Sequence, residues 1–179
     1  MTKKLIITNT VRKIKLLQSK NNKFVLCHGV FDVLHSGHIL HFQKAKSLGN
    51  KLIVSVTADE FIKKGPGRPY FNLQQRMKMI SELTLVDLVI PSYEVTAVSN
   101  ILKIKPIFYC KGIDYKDTKS DITNNIIKER NAIKKVGGEI VYTDTKKYSA
   151  SNLLKSEFNM LTPVQNTFLN KITKIKKIN

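Results

Sequence analysis

The chain has 179 residues, 42% hydrophobic and 25% charged, enough apolar material for one cored domain and little room for a second. Eight glycines and five prolines exclude fibrous repeats and wholesale disorder, and no apolar run approaches the roughly 20 residues that span a bilayer. The formal net charge is +18, but only four of the 31 basic residues are arginine: Arg12, Arg68, Arg76 and Arg130. Proteins that read phosphates and base edges favour the bidentate guanidinium. Lysines spread along the chain disfavour a nucleic-acid-binding module and suit the phosphates of a small molecule.

Residues 1–8 have too short an apolar stretch and no small-residue cleavage site for a signal peptide. Two cysteines, Cys27 and Cys110, cannot form a disulfide framework, so a cytoplasmic setting with buried free thiols is expected.

In chain order, residues 9–20 read as an N-terminal helix within a flanking extension, 1–21. Strands follow at 24–30, 51–57, 87–90, 106–110 and 139–143, with helices between them at 36–48, 72–84, 95–104 and 121–136. Unalternating apolar strands, each followed by a helix, predict an α/β fold: a Rossmann-like, doubly wound, five-stranded parallel sheet covered on both faces. This domain should occupy 22–155, with a Lys-rich helical tail or linker at 156–179. Ligands in such sheets bind beyond the C-terminal strand ends, where strand order reverses. The fourth strand is expected beside the first, across that switch point.

All four histidines, His28, His35, His38 and His41, fall within one span of 14 residues that begins in the first strand. His35-Ser36-Gly37-His38 sits where the loop becomes a helix, and the i, i+3 spacing puts two imidazoles on one face of its first turn. That turn also offers unpaired backbone N–H groups and the positive end of the helix dipole, while Gly37 removes a side chain from a close approach. The arrangement suits a triphosphate attacked at its α-phosphorus. Zinc is the rival, but it needs a third or fourth ligand, and no carboxylate spacing supplies one. His41, a helical turn further on, should only flank the site.

The run Cys27-His-Gly-Val-Phe-Asp-Val-Leu-His-Ser-Gly-His38 resembles the G-x-F-D and H-x-G-H signature of the cytidylyltransferase-like nucleotidyltransferase superfamily. The likeness continues through Thr57-Ala-Asp-Glu60, Gly65-Pro-Gly-Arg-Pro-Tyr-Phe71, Gln75-Arg76, Lys111-Gly-Ile-Asp-Tyr115 and Ser149-Ala-Ser-Asn152. It implies transfer of a nucleoside monophosphate from a nucleoside triphosphate to a phosphorylated acceptor, with Mg²⁺ neutralising the triphosphate and pyrophosphate leaving.

Carried over from the family, His35 and His38 stabilise charge on the α-phosphate. Lys63, Lys64 and Arg68, on the loop after the second strand, suit the pyrophosphate or the acceptor phosphate. The backbone at Gly29, Val30 and Phe31 should pack on the nucleotide, with Gly37 beside it, and Asp32 should order the loop. Arg76 resembles an arginine supporting the phosphate site, with a surface salt bridge as the alternative. Lys111, Gly112, Asp114 and Tyr115 are expected in a loop after the fourth strand, flanking the nucleoside. Ser149 and Ser151 should open a late helix and bring hydroxyl and N–H groups to phosphate.

Two departures refine the likeness. Glycerol-phosphate cytidylyltransferases carry an arginine before the late serine motif, whereas residues 143–148 hold none. Heptose 1-phosphate adenylyltransferases also lack it and share a Lys-Gly-x-Asp-Tyr segment, although they usually have glycine where Lys147 stands and threonines where Ala150 and Ser151 stand. The expected reaction is ATP plus a heptose-like sugar 1-phosphate. The alternatives are CTP with glycerol 3-phosphate or a similar polyol or aminoalcohol phosphate, and a basic nucleic-acid-binding module. The apolar positions of the tail, among them Phe158, Leu161 and Phe168, need cover, from a second subunit in a homodimer or, alternatively, from a helix folded back on its own domain.

Overall fold

A computed structural model describes residues 22–62, 67–115 and 125–144, all within one compact unit, Met1–Lys146. The expected N-terminal extension and C-terminal tail lie outside the described residues. Five strands, β1 (Phe24–Gly29), β2 (Lys51–Thr57), β3 (Leu88–Ser92), β4 (Phe108–Gly112) and β5 (Glu139–Thr143), alternate with helices α1 (Ser36–Ser47), α2 (Leu73–Ser81), α3 (Val98–Ile104) and α4 (Asn125–Lys135). The strands form one sheet in the order β3-β2-β1-β4-β5, all parallel. Strand order therefore reverses between β1 and β4, as expected, and Cys27 pairs in register with Cys110 across that junction.

The central strands β1 and β2 bury both faces because helices cover both. On β1, Phe24 and Leu26 face a core completed by Ile101, Ile104 and Ile133, while Val25 and Cys27 face one completed by Phe42, Ala45 and Ile80. Fully burying such a side chain contributes roughly 1.5–3 kcal/mol, so the central strands anchor both layers. The α2 helix starts sharply at a capping box: Asn72 accepts from the Gln75 backbone N–H, and Gln75 accepts from that of Asn72. Two glycines close the N-terminal end of the sheet. A Cβ at Gly49 would strike the Lys23 carbonyl, and one at Gly138 the Pro106 carbonyl.

Two strands run further than expected. β3 continues through Pro91 to Ser92, because it is an edge strand and the missing proline N–H breaks no ladder there. β4 continues through Lys111 and Gly112, which pair with Tyr142 and Thr143 of β5. These two residues, expected in a loop, belong to the sheet. The described helices are shorter than expected, most clearly at the start of α3, where residues 95–97 precede the helix.

Candidate active site

The site is built on the turn leaving β1. Gly29 ends the strand, and Phe31 takes a left-handed backbone with φ 49°, which folds its ring back over Gly29. A Cβ on Gly29 would lie 3.0 Å from that ring, tight enough that the ring would have to give way. The Phe31 ring is buried against Phe42 and edge-on to His38, at centroid distances of 5.2 Å each. Its side chain packs the turn, leaving backbone as its route to a ligand.

Asp32 orders the loop, as expected. Its Oδ1 accepts the backbone N–H groups of Tyr70 (2.8 Å) and Phe71 (3.1 Å). Its Oδ2 pairs with the Arg68 guanidinium at 2.9 Å, and that guanidinium also lies 4.4 Å over the Tyr70 ring. Arg68, expected at the reacting phosphates, thus docks the loop after β2 onto the loop after β1.

Arg76 requires a correction. It is fully buried and gives its N–H groups to the carbonyls of Phe71 (2.8 Å), Val30 (2.6 Å) and Thr57 (2.8 Å) and to the Asp59 carboxylate. A guanidinium so committed does not bind nucleotide, nor is this a surface salt bridge. It clamps the chain leaving β1 and β2 to the start of α2.

His35 is the N-cap of α1, and His38 lies on its first turn, with its backbone N–H bonded to the His35 carbonyl at 2.9 Å. The two imidazoles stack, centroids 3.8 Å apart and planes inclined by 25°. Gly37, between them, is buried. No acidic side chain occupies the first turn of α1, so the positive helix end keeps its attraction for anions. Among the described residues, no group of three or more His, Cys, Asp or Glu side chains is placed to hold a metal ion.

The other two histidines face inward. His41 is buried, its Nδ1 2.6 Å from the Thr143 hydroxyl of β5, a deeper position than the flanking one expected. His28, on β1, lies 3.1 Å through Nδ1 from the Ser55 hydroxyl of β2. Burial, reinforced by the charge of Lys111, lowers both rings from 6.5 to about 4. Cys27 is buried and free, like Cys110, and burial raises its pKa, helped by the neighbouring thiol.

Lys111 is buried in β4 and pairs with Glu129 of α4 at 3.1 Å. Glu129 was not anticipated from the sequence, although a signal existed: on α4 it shares the buried face with Ile126, Ala132 and Ile133. A lone carboxylate on an apolar stripe needs a buried partner. Gly112 faces open space, with nothing within 4 Å of a Cβ built there. Tyr115 is half exposed, its ring 4.5 Å from the Lys111 ammonium. Lys63, Lys64, Ser149 and Ser151, and the side chain of Asp114, lie outside the described residues.

Residues 26–156 match the model of the cytidylyltransferase-like family. The chain belongs to that family. It is a nucleotidyltransferase, an enzyme and not a non-catalytic basic module. It is 42% identical over 104 residues to the bifunctional protein HldE of Blochmanniella pennsylvanica, covering 57% of this chain and 22% of that protein. It is 34% identical over 143 residues to HldE of Blochmanniella floridana, covering 79% and 29%. The chain thus spans between a fifth and a third of the length of these relatives. Among solved structures, a lipopolysaccharide core biosynthesis protein from Thermoplasma volcanium aligns with TM-score 0.57 and 29% identity, over 72% of this chain and all of that one. A pantoate-β-alanine ligase from Francisella tularensis shares the fold at TM-score 0.55 and 19% identity, over 94% and 77%. Among the described residues, no helix is long and apolar enough to cross a membrane.

Proposed function

We propose that this cytidylyltransferase-like enzyme transfers AMP from ATP to a heptose-like sugar 1-phosphate, releasing pyrophosphate. The observation that carries the reading is the stacked His35–His38 pair at the N-terminus of α1, beside the switch point of the sheet. An oxygen of the acceptor phosphate attacks the α-phosphorus, the bond to the β-phosphate oxygen breaks, and the electron pair leaves on pyrophosphate. Imidazole and backbone N–H groups aimed at the α-phosphate meet the charge that builds on its oxygens. The acceptor phosphate is already a nucleophile, so alignment does most of the remaining work. The triphosphate itself would hold Mg²⁺, which would supply charge screening. Lys63 and Lys64 belong in this reading as counter-charges for the leaving pyrophosphate, and Ser149 and Ser151 as hydrogen-bond donors to phosphate.

Likeness to HldE proteins, the Lys111–Tyr115 segment and the lack of arginine at 143–148 support ATP and a sugar 1-phosphate over CTP and glycerol 3-phosphate. A cytoplasmic homodimer completes the proposal, the tail supplying the contact. Pyrophosphate release across four nucleoside triphosphates, with heptose 1-phosphate and glycerol 3-phosphate as acceptors, tests it. ATP with heptose 1-phosphate should turn over fastest, and a non-hydrolysable ATP analogue should bind at least tenfold more tightly than its CTP counterpart, a difference of ~1.4 kcal/mol. Fastest turnover with CTP and glycerol 3-phosphate would replace this reading.

A further inference from the structure

Two buried groups take no part in the chemistry described above. Cys27 of β1 and Cys110 of β4 are free thiols with no exposed surface. They are direct partners in the ladder that joins the two strands. Both point to the same face of the sheet, into the core formed with Phe42, Ala45 and Ile80, and the Cys110 thiol lies in hydrogen-bond contact with Cys27. The pair sits where strand order reverses, immediately ahead of His28 and Gly29 on one strand and of Lys111 and Gly112 on the other.

Neighbouring strands lie about 4.8 Å apart, so in-register partners fall inside the usual disulfide window of about 4.4–6.8 Å between Cα atoms. Side chains of a parallel in-register pair run side by side. Their Cβ atoms therefore stay near the strand spacing, slightly above the usual disulfide range of about 3.5–4.5 Å. A bond there has to draw the two strands together. It is strained for that reason, and a strained disulfide is easily reduced again. The chain has only two cysteines, so an intramolecular bond has one possible connectivity.

We propose that Cys27 and Cys110 are a reversible oxidation site: hydrogen peroxide closes a disulfide between β1 and β4, and the closed form transfers nucleotide more slowly. One sulfur attacks a peroxide oxygen, the O–O bond breaks, and a sulfenic acid and water form. The second sulfur attacks the sulfenic sulfur, the S–O bond breaks, and the S–S bond forms as a second water leaves. Two thiols thus give two electrons and two protons to one peroxide. The thiolate is the attacking species. Burial and the neighbouring thiol raise the Cys27 pKa, with the Lys111 charge opposing them, so closure follows sustained peroxide and not a brief pulse. The partner thiol is already in contact, so it traps the sulfenic acid before further oxidation. Drawing the strands together shifts the turn after Gly29 against Lys111, and a misplacement of about 1 Å can cost about 10²-fold in rate. The effect falls on nucleotidyl transfer itself, whichever base and acceptor the enzyme takes.

The test treats the full, freshly reduced chain with hydrogen peroxide for minutes to hours. Turnover is followed by pyrophosphate release with the nucleoside triphosphate and acceptor that the enzyme uses fastest. The intact mass should fall by two hydrogens, and non-reducing digests should yield a peptide cross-linked through Cys27 and Cys110. As that peptide accumulates, kcat should fall at least tenfold, and dithiothreitol should restore it. Cys27→Ala and Cys110→Ala should keep their starting kcat through the same treatment. Where an alanine variant fails to fold, Cys27→Val or Cys110→Val replaces it. A cross-link that forms only in urea, or only between two chains, would overturn the proposal, as would a native cross-link with unchanged turnover. An equal loss of kcat in the substituted chains would place the damage elsewhere and overturn it too.

Discussion

Four histidines in one stretch of chain serve two regions built on opposite principles. His35 and His38 stand at the entry to α1, partly accessible, ring against ring. His28 and His41 are buried between strands and helices, each held by a hydroxyl from a distant strand. The first pair presents donors where an anion can arrive. The second pair is kept neutral by desolvation and supports the sheet around the site. Sequence proximity therefore says little about shared duty: alternation along β1 and the turn at Phe31 send neighbouring histidines into different surroundings.

The largest expected effect sharpens that division. His38→Ala should lower kcat by roughly 10²–10³, the usual cost of losing one preorganised donor at a charge-developing centre, with its thermal midpoint close to that of the parent. His41→Ala should do the reverse, losing about 2 kcal/mol of stability to a denaturant titration while folded enzyme retains most of its kcat. Equal losses of kcat in both variants would erase the distinction.

Next comes the clamp between the regions. Arg76→Met leaves three carbonyls and a carboxylate without their donor, and it should cost on the order of 3 kcal/mol by urea unfolding. A variant as stable as the parent would show that water replaces the guanidinium readily.

The division also has a pH signature, in acid stability. His28 and His41 titrate near 4 when folded and near the ordinary 6.5 when unfolded, so between those values the unfolded chain binds more protons. Stability should be fully present above about pH 6.5 and fall as pH drops toward 4, by up to ~1.4 kcal/mol per pH unit for each ring. Urea midpoints at pH 7, 5.5 and 4.5 read this slope, and His41→Gln should flatten it. A slope unchanged in that variant would mean that other groups drive acid unfolding.

Much of this architecture was legible in the sequence. Uninterrupted apolar strands followed by helices dictate a parallel sheet, and the G-x-F-D and H-x-G-H spacing places the histidine pair on the first helical turn whatever surrounds it. The roles of Arg76 and Lys111 were not legible. Arg76 is satisfied mainly by backbone carbonyls from three separate segments, and carbonyls carry no sequence signature. Lys111 reads as a loop cation because the apolar run ends at Cys110, yet pairing with Tyr142 and Thr143 carries β4 past it. Pro91 misleads in the same way, since its tolerance depends on β3 being an edge, a property of topology and not of local sequence.

The glycines at the two ends of the sheet set different limits on how this protein can diversify. At Gly49 and Gly138 any side chain collides with a backbone carbonyl just ahead of β1 or β4, so mutational drift there is closed. At Gly112, on the opposite end, a side chain would meet nothing within 4 Å. A side chain at Gly112 therefore changes what a ligand meets there without disturbing the sheet, whereas the close contacts at Gly49 and Gly138 hold the strands together at the other end.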